Sequence, residues 1–243
     1  MLSLWKDLLN LIFPLKPECP FCREPVQNGK ICTCCMDVIE GYRREPYCCR
    51  CGRLAGKGAV FSAQTCSECR KRDWPFVKAR AAGPYEGLLK EAIHRFKYKG
   101  RLSFGGYLAG LMAEIVPNEP LFAEVNLLVP VPLSAEKLRQ RGFNQAAILA
   151  REVGAILKIP VEGHSLVKTV DTLPQTGLSR SAREFNMRRV FKVTNNNRIQ
   201  GRNILIIDDV FTTGSTMSAA ATALAGAGAG NVFCLTVATG RYF

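Results

Sequence analysis

Two unbroken apolar runs are the clearest elements in the hydrophobic pattern of this chain. Residues 126–132 read Asn-Leu-Leu-Val-Pro-Val-Pro, and residues 203–208 read Asn-Ile-Leu-Ile-Ile-Asp. Alternation disappears in this way when helices cover both faces of a parallel sheet, so each run is predicted to be a buried strand. Residues 231–238 repeat the pattern, and residues 78–85 are predicted to form an edge strand.

Helical patterns separate these strands along the chain. A helix is predicted from residue 86 onward, and others over residues 103–115, 144–157 and 215–228. The helix over 144–157 offers an apolar face made by Ala147, Leu149, Ala150, Val153 and Leu157. Strands that alternate with helices predict an α/β domain with a mostly parallel sheet and flanking helices.

A polar segment follows the second apolar run directly. Asp208 and Asp209 fall at the carboxyl end of that predicted strand, and a hydroxylated stretch from Thr212 to Thr216 leads into an alanine-rich helix. Open α/β sheets bind ligands at this edge, and the N–H groups of a helix start can hold a phosphate. Two adjacent carboxylates suit the cis-diol of a ribose, so the segment predicts a phosphate-and-sugar site. A strand end followed by an ordinary helix cap is the simpler alternative.

Basic residues supply further candidates for anion binding. Lys137, Arg139 and Arg141 follow the first apolar run, in what is predicted to be a loop after Pro132, where they would meet a second phosphate group. Residues 169–191 are polar and basic, and they are predicted to form a mobile cover over the site or else a plain surface hairpin.

Cysteines mark a separate module. Of the eleven cysteines, Cys234 alone lies outside residues 19–69, and its apolar surroundings predict a core thiol. The others include four Cys-x-x-Cys pairs, Cys19/Cys22, Cys32/Cys35, Cys48/Cys51 and Cys66/Cys69. Zinc sites of four cysteines are usually built from two such pairs, so two structural zinc ions are predicted, with sequential and interleaved pairing both open. A disulfide framework is the disfavoured alternative, because no secretory signal is present.

Length suggests how the chain divides. The 243 residues suit one α/β domain and a small module, so we predict an amphipathic helix over 1–16, the zinc-binding module over 17–73 and the α/β domain over 74–243. No apolar run reaches the ~20 residues of a membrane span, so a soluble protein is expected rather than an integral membrane protein. Docking of the N-terminal helix on a membrane surface is the minority alternative.

Net charge points to polyanionic partners. Lys and Arg total 33 against 20 Asp and Glu, a formal net charge of +13. Phosphorylated metabolites, nucleic acid and anionic membranes all fit this excess. In the cysteine module, basic residues accompany Tyr42, Tyr47 and Trp74, a mixture compatible with single-stranded nucleic acid, although such rings also fill small cores. The segment Lys97-Tyr98-Lys99 offers a second basic candidate, or a plain helix end.

Residues 204–216 resemble the PRPP-binding motif of type I phosphoribosyltransferases over all thirteen positions. This motif, the cysteine pairs and four further segments together resemble the ComF family of ComFC-like competence proteins. Those segments are His94–Arg101, Val129–Pro132, Arg141–Gln145 and Gln175–Ser179. The resemblance spans essentially the whole chain.

The resemblance implies a zinc-ribbon-like module followed by a type I phosphoribosyltransferase domain. It implies that Asp208 and Asp209 hold the ribose hydroxyls of PRPP, and that Thr212, Thr213, Gly214, Ser215 and Thr216 bind the 5′-phosphate. Arg139 and Arg141 would meet pyrophosphate, Arg180 and Arg183 would belong to the mobile loop, and Mg²⁺ would be held chiefly by pyrophosphate and ribose oxygens. The family further implies a cytoplasmic role in natural competence, with single-stranded DNA and competence-machinery proteins as partners and membrane association through that machinery.

Three functional classes follow from this resemblance. The protein could be an active phosphoribosyltransferase with an unidentified acceptor, a DNA-handling protein that uses the fold as a PRPP sensor or scaffold, or a purely structural adaptor. The complete ligand motif makes the adaptor the weakest of the three.

Overall fold

The computed structural model describes residues 18–26, 30–59, 61, 64–98, 102–169 and 190–243. In chain order the strands are β1 Leu54–Ala55, β2 Lys78–Pro84, β3 Leu127–Pro130, β4 Leu166–Lys168, β5 Phe191–Val193, β6 Ile204–Phe211, β7 Val232–Thr239 and β8 Arg241–Tyr242. The α-helices are α1 Thr33–Arg44, α2 Ser67–Lys71, α3 Gly87–Tyr98, α4 Phe104–Ala113, α5 Ala135–Arg141, α6 Gln145–Leu157 and α7 Ser215–Gly226. Short 3-10 turns cover Val116–Asn118, Pro120–Glu124 and Asn196–Arg198.

A parallel sheet organises the described chain, with strand order β2-β7-β6-β3. All residues of β3 and β7 are buried, as unbroken apolar strands require. The predicted α/β class with a parallel sheet and flanking helices is therefore confirmed. β2 lies at one edge, as its sequence predicts, and β4 and β5 form a separate antiparallel hairpin.

Helices cover both faces of this sheet. Leu205 and Ile207 of β6 belong to one apolar core, which also contains buried residues of α3, α4 and α6. Ile204 and Ile206 point to the other core, which is covered by α7 and the β4–β5 hairpin. The alanine-rich surface of α7 suits this position, because small side chains allow a helix to lie close to a sheet.

The structure corrects two boundaries near the polar segment. The strand predicted to end at Asp208 continues to Phe211, because β7 pairs with it as far as Thr239. The loop predicted after Pro132 is wrong for residues 135–141, which form the seven-residue helix α5. Ser134 caps this helix by accepting a hydrogen bond from the Lys137 N–H, and Gly142 ends it in the left-handed conformation.

The cysteine module packs directly onto the sheet. Gly52 has a φ of +71°, and a Cβ there would lie 2.5 Å from the carbonyl oxygen of Ala79 on β2. Ala79 in turn donates its N–H to the carbonyl of Arg50 at 2.8 Å. At the far end of the chain, β8 pairs in parallel with β1. A division at residue 73 remains a prediction, and the predicted helix over 1–16 lies outside the described residues.

None of the described helices could span a membrane. Each is too short or too polar to cross a bilayer.

Candidate functional site

The pocket begins where β3 stops pairing with β6. The Val131 N–H donates the last hydrogen bond of this ladder to Ile207 O at 2.9 Å. The pairing of β3 with β6 stops here, with Pro130 opposite Ile207 as the last residue pair. β6 runs on for four more residues beside β7, so Asp208 and Asp209 lie past the end of their other neighbour.

Strand geometry sends the two carboxylates to opposite faces of the sheet. Successive side chains of a strand alternate, so Asp208 follows Ile206 toward α7 and Asp209 follows Ile207 toward α3. Both still reach the same pocket, because no strand covers this end of the sheet on the β3 side of the described chain.

Lys97 of α3 neutralises Asp209. Its Nζ lies 2.7 Å from Asp209 Oδ2, and the two side chains are only 17% and 6% exposed. Both charged groups are largely removed from water, so loss of either partner would leave an uncompensated buried charge. The sequence suggested that Lys97 grips a polyanion, but not that it pairs with Asp209.

Asp208 is held by a different contact. Its Oδ1 accepts a hydrogen bond from the Asp209 N–H at 2.8 Å. Burial and the neighbouring Asp209 charge raise the pKa of Asp208 to about 8, although that hydrogen bond, Lys97 and Arg141 act in the opposite direction. A cation that enters the pocket would stabilise the ionised form of this carboxyl group and so lower its pKa.

The segment after β6 leads into the N-terminus of α7. Gly214 has a φ of +75° and precedes α7 without a side-chain cap, so the first-turn N–H groups of α7 have no intrahelical partner. Thr213 and Ser215 hydroxyls lie 2.9 Å apart, and Thr213 Oγ1 also accepts a bond from the Ser215 N–H at 3.4 Å. Free N–H groups beside hydroxyls give this loop the chemistry of an anion site.

A cavity of about 330 Å³ unites these groups. Among the predicted site residues, it is lined by Asp208, Asp209, Ser215 and Thr216. Thr212, Thr213 and Gly214 belong to the same loop but do not line the cavity. The basic candidates Lys97 and Lys137 line it as well, and the structure adds Gln145 and Lys168, which the sequence did not suggest as site residues.

The predicted pyrophosphate residues Arg139 and Arg141 are absent from the lining of this cavity. Arg139 is exposed on α5 and does not line it. Arg141 is half-buried beside Tyr98, with its guanidinium carbon 5.3 Å from the ring centroid. Lys137 on the same short helix does line the cavity, so α5 offers at least one cation to it. Arg180 and Arg183 lie outside the described residues.

The predicted metal ligands fall into two groups of four. Cys19, Cys22, Cys32 and Cys35 form the first centre, and Cys48, Cys51, Cys66 and Cys69 form the second. Within each group the sulfur atoms lie within 4.8 Å of one another, which matches sequential pairing rather than an interleaved arrangement. All eleven cysteines are described and none forms a disulfide. Cys34 and Cys49 belong to neither centre.

Sulfur geometry and charge both fit zinc at these centres. Tetrahedral Zn–S bonds of about 2.3 Å place sulfur atoms about 3.8 Å apart, and Cys51 Sγ lies 3.8 Å from Cys66 Sγ. Backbone N–H groups point at the sulfurs, as Cys66 N does toward Cys48 Sγ at 3.3 Å. Each centre could hold one zinc ion with four protein ligands, which leaves no open position for catalysis.

The directions of the cysteine pKa shifts are compatible with a cation at each centre. Burial at Cys19 is outweighed by backbone N–H donors, which lower its pKa to about 6. Burial and the Cys32 sulfur raise the pKa of Cys35, and hydrogen bonding with Cys48 raises the pKa of Cys69 to about 12. Each centre thus stabilises one thiolate and opposes others, and a bound metal removes this conflict.

Several residues that the sequence offered for stacking on nucleic acid are engaged inside the protein. Trp74 is 5% exposed and packs between aromatic rings. Tyr47 is covered by the guanidinium group of Arg80, 3.6 Å from its ring centroid. Arg53 is buried and paired with Glu68 at 2.6 Å. For Trp74 and Tyr47 these contacts favour the alternative that the rings fill the small core, while single-stranded DNA binding stays a prediction.

Comparison with known proteins gives consistent matches over most of the chain. Residues 138–241 match the family described as phosphoribosyl transferase domain. Competence protein F of Haemophilus influenzae is 30% identical over 207 residues, which cover 83% of this chain and 87% of that protein. Competence protein ComFC of Bacillus subtilis is 30% identical over 88% of this chain and 81% of its own length. DNA utilization protein YhgH of Escherichia coli is 29% identical over 89% of this chain and 95% of its own length.

Solved structures give weaker matches. A glutamine PRPP amidotransferase from B. subtilis, in complex with ADP and GMP, is 19% identical with a TM-score of 0.38. The match covers 54% of this chain and a quarter, 25%, of that enzyme. A purine phosphoribosyltransferase from Pyrococcus horikoshii is 14% identical over 53% of this chain and 68% of its own, with a TM-score of 0.32.

Metal content tests the two four-cysteine centres. We expect two zinc ions per chain, since each centre supplies four closely spaced sulfurs. Replacement Cys66→Ser should remove one zinc ion, whereas Cys34→Ser should remove none because Cys34 is exposed and outside both centres. Metal analysis of purified protein measures both, and equal zinc content in the two variants would contradict the assignment.

Two glycines test whether the loop before α7 is sterically fixed. Gly214→Ala and Gly142→Ala both place a side chain at positive φ, which costs about 1–2 kcal/mol. A Cβ at Gly142 would meet open space, whereas at Gly214 it would lie 2.6 Å from Phe211 and 2.7 Å from Trp74. Overpacking should add about 1–3 kcal/mol to the Gly214→Ala penalty. Denaturant unfolding measures the free energy of unfolding of both variants. Equal losses of stability would show that the loop accommodates a Cβ at position 214 without added strain.

Proposed function

Because the chain belongs to the ComF family of competence proteins, we propose that it binds PRPP with Mg²⁺ and handles single-stranded DNA in natural competence. The observation that carries the PRPP part is one cavity lined by both carboxylates and by the start of α7. The relatives' names, which mention competence and DNA utilization, support the DNA part.

Each part of PRPP has a chemically suitable place in this proposal. The 5′-phosphate binds the Thr212–Thr216 segment, where N–H groups and hydroxyls meet the positive end of α7. Asp208 and Asp209 accept hydrogen bonds from the ribose hydroxyls. Pyrophosphate lies toward α5, which supplies Lys137 to the cavity lining and also carries Arg139 and Arg141.

Lys97 gives this pocket a defined charge before any ligand enters. The Lys97 ammonium group compensates the charge of Asp209, while burial and that neighbouring charge raise the pKa of Asp208. Mg²⁺ held by pyrophosphate and ribose oxygens would favour the ionised form of Asp208, whose pKa is raised in its absence. The pocket therefore suits the magnesium complex better than the free anion.

Pyrophosphate displacement is the chemistry that such a site would promote. An acceptor attacks the first carbon of the ribose while the C–O bond to pyrophosphate breaks, through an oxocarbenium-like state. Lys137 and neighbouring cations stabilise the leaving group, and Asp208 and Asp209 orient the sugar near its positive charge. An active metabolic phosphoribosyltransferase without a DNA role is the alternative, and the complete pocket is the observation that favours it.

Tyr98 is the described residue best suited to stack on a DNA base. Its side chain is 65% exposed at the end of α3. The Arg141 guanidinium group lies 5.3 Å from its ring centroid, and the His94 ring lies 4.9 Å away. An exposed ring beside cations is the combination that binds single strands without base preference.

The proposal places the protein in the cytoplasm. Eight closely spaced thiols require a reducing compartment or bound metal to escape oxidation. Contact with competence-machinery proteins, and membrane association through them, belong to the same proposal and rest on the names of the relatives.

Titration calorimetry of Mg²⁺–PRPP into the zinc-loaded protein tests the ribose-phosphate site. We expect binding by the wild type and at least about a hundredfold loss in Asp208→Asn/Asp209→Asn, since two hydrogen bonds to charged groups disappear. Asp37→Asn/Glu152→Gln removes the same two charges at positions outside the cavity and should bind normally. If the Asp208/Asp209 variant bound PRPP as tightly as the control, the ribose assignment would fail.

Fluorescence anisotropy with labelled oligothymidylate tests the DNA part. Tyr98→Ala should weaken binding by about 1–3 kcal/mol, which is the usual loss for one base-stacking ring. Tyr85→Ala is the matched control, because Tyr85 is also exposed and has Lys90 6.0 Å from its ring but precedes the start of α3, whereas Tyr98 ends that helix.

Salt separates stacking from charge in the same assay. Affinity should fall steeply as salt rises, and Arg141→Gln should reduce the logarithmic slope by about 1 whereas Tyr98→Ala leaves it unchanged. A flat salt response in the wild type would refute electrostatic binding. Equal effects of Tyr98→Ala and Tyr85→Ala would refute this location.

A further inference from the structure

Trp74 lies between the second four-cysteine centre and the loop before α7. Its side chain is 5% exposed, and its Nε1–H donates to Cys69 Sγ at 3.2 Å. The opposite edge of the same ring faces Gly214, where a Cβ would lie 2.7 Å from both Cη2 and Cζ3. One indole ring therefore contacts a predicted metal ligand at one end and the predicted phosphate loop at the other.

Aromatic packing fixes the position of this ring. The centroids of Trp74 and Phe76 are 5.0 Å apart, and Phe211, the last residue of β6, lies 6.1 Å from each of them. Interiors packed in this way transmit displacements because they contain little free volume. A change in the orientation of Trp74 must therefore move Phe211 or Gly214.

A second contact joins the same region to α7. The guanidinium group of Arg72 lies 4.1 Å from the Trp74 ring centroid, and its Nη2 donates to Ser218 Oγ at 3.4 Å. Ser218 is in the first turn of α7, next to the N–H groups that face the cavity. Arg72 thus contacts both the indole ring of Trp74 and α7.

The first four-cysteine centre has different neighbours. Cys19 and Cys35 belong to the core on the α3 side of the sheet, whereas Cys48, Cys51 and Cys66 belong to the core on the α7 side. The chain therefore contains an internal comparison, since the two centres have the same ligands but only the second contacts Trp74.

We propose that Trp74 is a positioning residue through which the metal-loaded second centre sets the conformation of the phosphate-binding loop. A metal-bound thiolate at Cys69 is an anionic acceptor that holds the indole N–H, and outer-shell bonds of this kind orient both partners. Without metal, the Cys69 side chain is no longer fixed by a bond shared with the other three ligands, so the ring that donates to it loses its restraint. The part that concerns phosphate binding rests on the proposed function, whereas the link between the centre and the loop does not.

Tryptophan emission and amide exchange test this link without any ligand. The chain has two tryptophans, and Trp5→Phe makes Trp74 the sole reporter. In that background, Cys69→Ser should shift Trp74 emission to the red and increase amide exchange over residues 212–216 about tenfold. Cys22→Ser should also lose one zinc ion but change neither signal. Amides of β3 serve as the reference for general destabilisation, and equal effects of the two variants would overturn the proposal.

Trp74→Phe addresses the case in which Cys69→Ser disturbs folding. Phe keeps an apolar ring but cannot donate to Cys69, so zinc content and far-UV circular dichroism should remain unchanged. We expect faster exchange over residues 212–216 and roughly tenfold weaker Mg²⁺–PRPP binding, the lower end of the range for one hydrogen bond to a charged group. Unchanged exchange in a zinc-loaded Trp74→Phe protein would overturn the proposal. If the wild type bound no PRPP, the proposed function would fail. The exchange and emission results would still test the link between the second four-cysteine centre and the loop before α7.

Discussion

The unequal length of two neighbouring strands creates the pocket. β3 leaves the ladder after Val131, whereas β6 remains paired with β7 as far as Phe211. The extra residues of β6 carry the two carboxylates and then lead directly into α7. Without the early stop of β3, a neighbouring backbone would fill the space in which these side chains meet α5 and α7.

Local patterns predicted the elements well but not the contacts between distant ones. The buried strands and the helix over 144–157 were recognisable because apolar periodicity is a local property, and Asn144 does cap α6. The end of β6 was missed because pairing with β7 decides it, and α5 was missed because a seven-residue helix shows little periodicity. The Lys97–Asp209 ion pair joins residues that are more than a hundred positions apart, and residue type gave no sign of it.

The cysteine centres do more than hold a small module together. A segment of this size buries too little apolar surface to fold unaided, so metal ligation is the expected remedy. Here the second centre also contributes buried sulfurs to the core on the α7 face of the sheet. Loss of metal would therefore also disturb the packing of the larger domain. Some basic residues of the module already form ion pairs within the protein, so they are not available to bind an external partner.

The pairing of β1 with β8 has a consequence for the order in which the protein matures. β1 lies in the cysteine module, and its partner β8 follows all other described elements in the chain. Arg241 on β8 also binds Glu86 at 2.6 Å and pairs with Glu45, and Gly56 donates to Tyr242 O at 2.7 Å. Because ribosomes deliver the chain from its N-terminus, the module can capture its metal early but cannot complete its backbone pairing until translation has passed Tyr242. A nascent chain therefore carries an open strand edge for most of its synthesis.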